Sequence, residues 1–370
     1  MSYEPHSPRC WAEIDRAALQ HNLAAARSQV GPSVKVMAVI KANAYGHGAA
    51  HVAQALAGIA DLFGVANVAE AREVVACAPG MPVLILGPAL PEERPEIVAH
   101  GFIPLISTVE EARAFHALGG KARVEAHLAI DTGMGRIGIW EDEALSVTAE
   151  VRELRGLRIT GISSHLPVAD EDATFTREQL ERFHATARRI QALGFEDAIV
   201  HVENSAGLIG FPAQAGDVVR AGLMLYGSSP LPEFQSRLRP VMTWKTRITL
   251  VRTAPAGHGI SYGRTHITRQ PTRIATLAVG YADGYQRHLS NRAVEVLIRG
   301  RRCPVLGRIT MDQIVVDVTG VPAAAAGEEV VLLGRQENEE ISAAELAQKA
   351  GTIPWEIFTG VGRRVKRVSV

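Results

Sequence analysis

The sequence predicts an N-terminal (β/α)8 barrel of the TIM type, followed by a smaller, mainly antiparallel β domain. Between about residues 34 and 227, short apolar runs alternate with periodic helical segments. After about residue 239, the runs become β-branched and partly alternating, and Gly or Pro divides them. The length of 370 residues suits one large barrel with a second, smaller domain.

Eight apolar runs in the first region have the length of buried strands. The stretches between them, such as VAEAREVVA and TVEEARAFHALG, have the period of amphipathic helices. Buried strands that alternate with helices indicate parallel βα units, and eight in succession favour a closed barrel. An open doubly wound sheet is the alternative, but it would more often stop at about six strands. The predicted strands lie near residues 35–40, 62–66, 83–87, 102–107, 124–130, 158–164, 198–204 and 217–222.

The flanking segments set the expected domain boundaries. CWAEID, residues 10–15, is typical of a strand, and Asp15 is placed to cap the helix that follows. Near the C-terminus, SAAELAQKAG predicts a last helix that opens with Ser342 and ends at Gly351. We expect residues 1–14 to form a strand that packs with the β domain. Residues 15–239 should form the barrel, and residues 240–370 the β domain itself.

The composition excludes several classes of function. Lys+Arg and Asp+Glu both number 39, and this balance argues against a general nucleic-acid or membrane-surface binder. The three cysteines are far apart and odd in number, so they indicate neither a disulfide framework nor a metal-binding knuckle. The first ten residues show no apolar signal region. We therefore expect a cytoplasmic protein without a metal site.

Lys41 directly follows the first predicted barrel strand, within VIKANAYGHG. Active sites of such barrels lie at the carboxyl ends of the strands. A lysine that ends a buried apolar strand sits where desolvation lowers its pKa, as Schiff-base chemistry requires. For a lone lysine, a solvated side chain would be the better interpretation, so the neighbouring motifs carry the argument.

A phosphate site is predicted at the ends of the seventh and eighth strands, where such barrels commonly bind phosphate. Ser205 offers a hydroxyl and a backbone N–H there, and Gly222 allows a close backbone approach. A lysine on strand one facing this phosphate cradle predicts a pyridoxal phosphate site. No GxGxxG follows a strand, which argues against a nicotinamide cofactor.

Eight ordered motifs resemble the motif series of the alanine racemases, and the similarity covers nearly the whole chain. It implies pyridoxal 5′-phosphate as the cofactor and alanine as the small amino-acid substrate, with D-alanine supplied for cell-wall synthesis. It also implies a head-to-tail homodimer, in which the β domain of one subunit completes the barrel site of the other. The motifs are VIKANAYGHG, DTGMGRIG, SSHLP, ENSAG, VRAGLMLYG, GISYG, GYADGY and GRITMDQ.

The resemblance implies a role for each matching residue. Lys41 carries the cofactor and is one catalytic base, and Tyr262 of the partner subunit is the other. Arg220 faces the pyridine nitrogen, and His165 orients Arg220. Arg136 contacts the cofactor's phenolic oxygen and the substrate carboxylate. The remaining implied residues are Tyr45, Asn204, Ser205, Gly222, Leu223 and Tyr226 around the cofactor, the partner's Met311 and Asp312 beside the substrate, and Tyr281, Arg287 and Arg308 along an access corridor.

Two bases suit racemisation because one face of Cα loses a proton and the opposite face receives one. Unperturbed lysine and tyrosine titrate near ~10, so we expect burial to shift the lysine and nearby cations to shift the tyrosine. An arginine at the pyridine nitrogen, with a pKa above ~12, does not readily give up its proton. It weakens the cofactor ring as an electron sink and is expected to suppress transamination and decarboxylation.

Two positions depart from the family pattern. Many relatives have a carbamylated lysine two residues before the aspartate of DTGMGR, and here that position is Ala129. We expect a bound anion such as chloride, or a rearranged carboxylate, to pair with Arg136 instead. Arg363 stands where some relatives have a tyrosine that helps close the inner gate. Both departures leave the substrate range open.

Three rival functions stay under consideration. A decarboxylase on the same scaffold would be expected to have an acidic group in place of Arg220. A non-catalytic pyridoxal-phosphate carrier would lack the second domain, which here contains Tyr262 and Met311. A serine or broad-spectrum racemase is the nearest rival, although such relatives tend to be exported.

Overall fold

The computed structural model describes residues 8–120, 122–214 and 216–370. This part of the chain divides into two compact units. Within the described ranges, every helix is too short or too polar to traverse a lipid bilayer. The barrel unit comprises residues 17–44 and 49–239, and the β unit comprises the N-terminal segment as far as Arg16, residues 45–48 and residues 240–370.

Strands and helices alternate along the first part of the chain, as the apolar runs predicted. The elements are β1 (Cys10–Ile14), α1 (Arg16–Val30), β2 (Lys35–Val39), α2 (Lys41–Tyr45), α3 (Ala49–Leu56), β3 (Leu62–Val65), α4 (Val68–Cys77), β4 (Val83–Ile85), α5 (Arg94–His100), β5 (Ile103–Ile106), α6 (Val109–Leu118), β6 (Val124–Asp131), β7 (Ile139–Trp140), α7 (Ala144–Arg152), β8 (Leu157–Ser163), α8 (Ala173–Gln191), β9 (Ile199–His201), α9 (Ser205–Gly210) and β10 (Val218–Ala221).

Eight parallel strands form a nearly closed barrel, which confirms the predicted fold class. Hydrogen-bonded neighbours follow the order β10-β2-β3-β4-β5-β6-β8-β9, and the short strand β7 pairs with β6. At the remaining seam, the backbone N–H of Arg220 donates to the carbonyl of Glu203 across 3.0 Å. The strands are mostly buried, as expected where helices cover one face and side chains fill the barrel interior on the other.

Several barrel helices begin at side-chain caps that are visible in the sequence. Thr108 accepts a hydrogen bond from the backbone N–H of Glu111 at the start of α6, and Asn67 accepts one from Glu70 at the start of α4. Asp172 caps α8 in the same way. Such a cap satisfies an N–H that the helix itself cannot, and contributes about 1 kcal/mol.

Within the described residues, the β unit contains all of the remaining strands and two α-helices. Its elements after residue 239 are β11 (Met242–Ala254), β12 (Gly259–Ile260), β13 (His266–Ile267), β14 (Thr272–Leu277), β15 (Glu295–Ile298), β16 (Arg301–Pro304), β17 (Ile314–Asp317), β18 (Glu329–Gln336), β19 (Glu339–Ile341), α10 (Ala343–Ala350), α11 (Pro354–Thr359) and β20 (Lys366–Ser369).

The main sheet of the β unit is mixed. Its order is β16-β15-β18-β11-β1-β20, with β14 and β17 continuing from β11 and β19 beside β18. Among its described strand pairs, only β1 with β20 is parallel. The N-terminal strand β1 thus lies beside β20, the last strand of the chain. A pairing between residues so far apart in sequence cannot be predicted from the alternation of apolar and polar residues within each strand.

The predicted helix after Ser342 is α10, and its ends follow the sequence signals. The Ser342 hydroxyl accepts from the Glu345 N–H at 3.1 Å, and Gly351 closes the helix with a φ of 74°. The expectation that this would be the last helix is wrong, because α11 and β20 follow it. The start of α11 has no side-chain cap, so it gave a weaker signal.

Candidate active site

Lys41 lies just beyond the end of β2, at the carboxyl end of the barrel strands. Its side chain is half-buried. Burial lowers the pKa of the Lys41 ammonium, and the positive charges of Arg136 and Arg220 lower it further. The carboxylate of Glu70 acts in the opposite direction. The net effect increases the neutral amine, which is the form that can act as a nucleophile or a base.

The segment α2 turns in the left-handed sense. Ala42, Asn43, Ala44 and Tyr45 all have φ values of 51° to 53°. A side chain in this conformation costs roughly 1–2 kcal/mol per residue, so four in succession store considerable strain. Backbone strain of this kind persists where the surrounding structure enforces it, and it is concentrated at functional sites. The turn directly follows Lys41, so it fixes how the chain leaves β2.

The carboxylate of Glu70 holds the start of this left-handed turn. Its Oε1 accepts from the Ala42 N–H and its Oε2 from the Ala66 N–H, each at 2.8 Å. Asn43 Oδ1 accepts from the Ala49 N–H, also at 2.8 Å. The sequence analysis missed both Glu70 and Asn43, because no spacing pattern signals a left-handed turn of residues other than glycine.

Arg220, on β10, is held by four partners within the barrel unit. The guanidinium donates to the carbonyls of Ser164 at 2.7 Å and Val202 at 2.8 Å. It also donates to Nδ1 of His165 at 2.9 Å and to Nδ1 of His201 at 3.0 Å. Only 6% of the residue is exposed, so the position of this charge is fixed. The residue pair expected from the sequence, His165 and Arg220, is therefore in direct contact.

These contacts determine the tautomers of three histidines. A guanidinium only donates, so Nδ1 of both His165 and His201 must be the unprotonated nitrogen. His201 then carries its proton on Nε2 and donates it to Nδ1 of His127 across 2.9 Å. Burial, the main cause in each case, lowers the pKa of His165 to about 2 and that of His127 to about 3, and lowers the pKa of His201 as well. The three rings are therefore neutral at physiological pH.

Gly161 makes room for this histidine chain. A Cβ on Gly161 would lie 2.6 Å from atoms of the His127 ring, a distance that real Cβ atoms do not reach. Strands β6 and β8 pair Gly161 directly with His127. The sequence analysis assigned no role to His127 or His201, because each alone is typical of a buried structural histidine.

Ser205 organises the loop where phosphate binding was predicted. Its hydroxyl oxygen accepts from the N–H of Gly222 at 3.0 Å and of Met224 at 3.4 Å. The hydroxyl proton is consequently left for another acceptor. Gly222 and Leu223 are buried with Ser205. This arrangement can bind an anion through the serine proton and the neighbouring backbone.

The polar groups of Asn204 and Tyr226 already have protein partners. Asn204 Oδ1 accepts from the Gly207 N–H at 3.0 Å, and its amide nitrogen donates to the Leu166 carbonyl at 3.1 Å. The Tyr226 hydroxyl donates to the Val39 carbonyl at 2.9 Å. These two residues shape the site through the backbone more than they offer free donors to a ligand.

The glycine-rich loop DTGMGR folds around the carboxylate of Asp131. That carboxylate accepts four backbone N–H bonds, including one from Arg136 at 3.1 Å. Arg136 itself is exposed. Among the residues that the structure describes, none pairs with its guanidinium, and Ala129 on β6 supplies only a buried methyl group. The positive charge of Arg136 remains close enough to lower the pKa of Lys41 and His165.

In the β unit, Tyr262 and Met311 are exposed to an unusual degree for such side chains. Tyr262 is 71% exposed and Met311 53%. Ser261, just before Tyr262, has a φ of 59°, and its hydroxyl donates to the Arg308 carbonyl at 2.5 Å. Tyr281 is 40% exposed, and its backbone N–H donates to the Thr310 carbonyl. These three side chains therefore lie on the surface of the β unit.

Asp312 is paired within the β unit. Its Oδ1 accepts from the Arg364 guanidinium at 2.6 Å, and the same guanidinium binds Asp283 at 2.6 Å. Asp283 also accepts from the Gly280 N–H at 2.9 Å. Arg364 is therefore an organising residue that the sequence analysis missed. Arg287 and Arg363, two other residues singled out from the sequence, are exposed.

Comparisons with known proteins agree with this geometry. Sequence profiles of the alanine racemase N-terminal and C-terminal domains match residues 14–230 and 241–369. A curated alanine racemase of Halothermothrix orenii is 42% identical over 364 residues, which cover 96% of each chain. The solved alanine racemase of Clostridium difficile 630 aligns with a TM-score of 0.92 at 33% identity, covering 98% of this chain and 96% of that one.

A further solved structure is informative about the cofactor. The alanine racemase of Bartonella henselae, described with covalently bound pyridoxal phosphate, aligns with a TM-score of 0.88 at 29% identity. The alignment covers 98% of this chain and all of the other, 100%. The fold and its relatives define an isomerase of the amino-acid racemase class, which uses pyridoxal 5′-phosphate. More particularly, the chain belongs to the alanine racemase family.

Proposed function

We propose that this chain interconverts L-alanine and D-alanine with two bases, Lys41 and the partner subunit's Tyr262, on opposite faces of the substrate Cα. The observation that carries the proposal is the environment of Lys41. Burial and two nearby arginines lower its pKa at the carboxyl end of a barrel strand. The proposed role is the supply of D-alanine for cell-wall synthesis in the cytoplasm.

The residues of the barrel unit suit pyridoxal 5′-phosphate. The Lys41 amine would hold the cofactor covalently, and the Ser205 hydroxyl proton, with Gly222 and Leu223 beside it, would bind the phosphate. Tyr45 would be a further phosphate contact. When bound, the cofactor supplies an electron sink that makes the Cα proton acidic.

Arg220 would face the pyridine nitrogen of the cofactor with a guanidinium that stays protonated. Arginine side chains stay protonated in proteins, and the four partners of Arg220 hold its guanidinium rigidly. An arginine donates a hydrogen bond to the pyridine nitrogen but does not transfer its proton. The cofactor ring therefore withdraws electrons from Cα only modestly. We infer that this favours return of a proton to Cα over loss of other groups.

Lys41 would take or give the proton on one face of Cα. The neutral amine is favoured because burial and the charges of Arg136 and Arg220 disfavour the ammonium. Arg136 would bind the substrate carboxylate, with a bound anion such as chloride near its guanidinium in place of a lysine at Ala129. The guanidinium of Arg136 is exposed and has no ion-pair partner within the described ranges, which supports both parts of this assignment.

The second base would come from another subunit of a head-to-tail homodimer. The exposed Tyr262 and Met311 support this assignment, because a partner subunit's barrel would cover them. Met311 of the partner subunit would supply a backbone donor to the substrate carboxylate. The partner's Asp312 would support that segment through its pairing with Arg364. Tyr281, Arg287 and Arg308 would line the access corridor.

A direct test of the activity uses the purified holoenzyme with L-alanine and, separately, D-alanine, followed by chiral chromatography. Both reactions are expected to reach equal amounts of the two enantiomers, because enantiomers have the same free energy. Lys41→Ala should abolish the conversion, whereas Lys35→Ala, an exposed lysine on β2, should retain it. Formation of pyruvate, an amine or carbon dioxide instead of the second enantiomer would contradict the proposal.

The substrate range is tested in parallel with L-serine and L-lysine. Preference for alanine by kcat/KM is expected. Comparable values for serine or lysine would instead support a serine or broad-spectrum racemase on the same scaffold.

A further inference from the structure

Three titratable side chains meet in the barrel unit apart from Lys41. They are His184 on α8, Glu203 between β9 and α9, and Asp217 just before β10. Val218 at the start of β10 pairs with Lys35 at the start of β2, whereas Lys41 lies beyond the end of β2. Asp217 is therefore near the opposite end of the strands from Lys41. The proposed racemase mechanism uses none of these three side chains.

The three side chains are enclosed and close together. Their exposed fractions are 6% for His184, 1% for Glu203 and 5% for Asp217. One ligand atom from each lies within 4.8 Å of the other two, and His184 Nε2 is 4.0 Å from Glu203 Oε1. Two carboxyl groups and one imidazole are thus brought together from three separate segments.

The electrostatics of this cluster favour a bound proton or cation over free carboxylates. Burial raises the pKa of Asp217 to about 7, with a further contribution from the neighbouring Glu203, and burial also raises the pKa of Glu203. Burial and the charge of Arg188 lower the pKa of His184 to about 4, so that ring is neutral. Arg220 is the cation that acts on Glu203, but its guanidinium is already committed to four other partners.

An orphaned oxygen points to a ligand at this place. Glu203 Oε1 is buried and has no hydrogen-bond partner within the described residues. The other oxygen of Glu203 accepts a long bond from the Val202 N–H, at 3.4 Å, and the carboxylate also accepts from the backbone N–H of Glu203 itself. Asp217 Oδ2 accepts from the Gln214 N–H at 2.9 Å, which leaves Oδ1 for another partner. A buried carboxylate oxygen without a donor costs several times the free energy of an ordinary hydrogen bond.

We propose that His184, Glu203 and Asp217 form a binding site for one divalent transition-metal ion of the Zn²⁺ class. The imidazole nitrogen favours Zn²⁺ or Co²⁺ over Mg²⁺, which prefers oxygen ligands alone. Tetrahedral bonds of about 2.1 Å place ligand atoms about 3.4 Å apart, so the three side chains need to approach by small rotations. Bound metal would connect α8 to the segment after β9, which leads to Ser205. It would also connect α8 to the start of β10, the strand that contains Arg220.

The test measures Zn²⁺ uptake by the holoenzyme after dialysis against a chelator and then against metal-free buffer. Elemental analysis after equilibrium dialysis at pH 8 with micromolar Zn²⁺ is expected to find one ion per chain. The midpoint of thermal unfolding should rise by at least about 2 °C with Zn²⁺. Co²⁺ should give the visible d–d absorption of a tetrahedral nitrogen and oxygen site.

Two variants locate the site, and a third serves as a matched control. Glu203→Gln and His184→Gln should each lose the bound ion and the Zn²⁺-dependent rise in unfolding temperature. Glu181→Gln removes an exposed carboxylate from the same helix and should bind Zn²⁺ as the parent chain does. Metal retained in full by the two site variants would overturn the proposal.

The parent protein alone also decides the question, whether or not a variant folds. A parent holoenzyme that takes up less than a tenth of an ion per chain at pH 8 would show that protons alone neutralise the cluster, and would overturn the proposal. Alanine racemisation is assayed separately, so failure of metal binding leaves the proposed catalytic role standing, and the reverse also holds.

Discussion

Nδ1 of His127 lies 2.9 Å from Nε2 of His201, and this contact connects β6 to the arginine on β10. Arg220 donates to Nδ1 of His201, so Nε2 of His201 carries the proton and donates it to His127. The direction of both buried hydrogen bonds is therefore fixed. His127 thus reaches Arg220 through His201, and we expect it to act as a positioning residue. Its contribution can be separated from a purely structural one by experiment.

Replacement of His127 by Ala should leave the His201 N–H buried without an acceptor. We expect a loss of about 1–3 kcal/mol in the free energy of unfolding, measured by urea denaturation. We also expect kcat for alanine to fall with a smaller change in KM. His201, which accepts a hydrogen bond from Arg220, would no longer be held in place by His127. His127→Gln, which can offer an acceptor oxygen, should recover part of kcat. His100→Ala, at an exposed helix end, should change neither quantity appreciably.

Unchanged kcat in His127→Ala, together with reduced stability, would limit His127 to a packing role. Circular dichroism of the folded variant and its absorbance with bound cofactor distinguish this outcome from global unfolding.

The lowered pKa of Lys41 predicts how the apo-enzyme reacts with pyridoxal 5′-phosphate. The neutral amine is the reactive form, so the rate of covalent attachment should rise with pH and level off at a midpoint below ~10.4, the ordinary value for lysine. Arg136→Gln removes one of the charges that lower this pKa and should move the midpoint upward. Stopped-flow absorbance measures the rate across the pH range.

Arg155→Gln provides the control for the pH experiment, because Arg155 is exposed and is not among the groups that shift the pKa of Lys41. Its midpoint should equal that of the parent protein. A parent midpoint at the ordinary lysine value would refute the assignment of Lys41 as a desolvated amine.

The proposed shared active site predicts complementation between two inactive chains. In a hybrid dimer of Lys41→Ala and Tyr262→Phe subunits, one site combines both substitutions and the other contains neither. Random exchange of subunits should therefore restore about a quarter of the parent activity, because half of the dimers are hybrids with one intact site each. Each variant on its own should be nearly inactive. In Tyr262→Phe, proton transfer should be lost more in one direction between L-alanine and D-alanine than in the other.

The recovery is measured after the two variants are mixed and incubated under conditions that allow exchange. Leu250→Ala shortens another exposed side chain of the β unit, outside the proposed site, and should remain active without mixing. No gain in activity, although mass analysis shows hybrid dimers, would place both bases in a single chain or remove Tyr262 from the mechanism.

The left-handed turn after Lys41 predicts an unusual response to glycine. Ala42 has a φ of 53°, so Ala42→Gly relieves about 1–2 kcal/mol of strain and adds about 0.5–1 kcal/mol of chain entropy cost. The free energy of unfolding should rise slightly or stay constant. Ala24→Gly, at an exposed position inside α1, should instead lower it by about 1 kcal/mol. Equal losses in both variants would mean that Ala42 is unstrained.

The barrel and the place of Lys41 at the end of a strand could be predicted because local signals define them, and the catalytic role of Lys41 stays a prediction. Parallel strands are buried on both faces, so each appears as an apolar run, and Lys41 follows the first of these runs. The position of Ser205 was also predictable, because an apolar run ends just before it, and its phosphate-binding role stays a prediction. The assigned roles of Tyr262 and Arg136 rest on the family motifs and stay predictions.

The amino-acid sequence by itself determined the barrel strands and the capped helices, because hydrophobic periodicity and helix caps act over a few residues; α11, which has no side-chain cap, was missed. Tertiary structure alone decided the chain from His127 through His201 to Arg220, the strained turn held by Glu70, and the cluster at His184. Those features depend on strand register and on helix packing between residues far apart in sequence. Hydrogen bonds and buried charges respond to distances of a few tenths of an ångström, and only the folded backbone sets those distances.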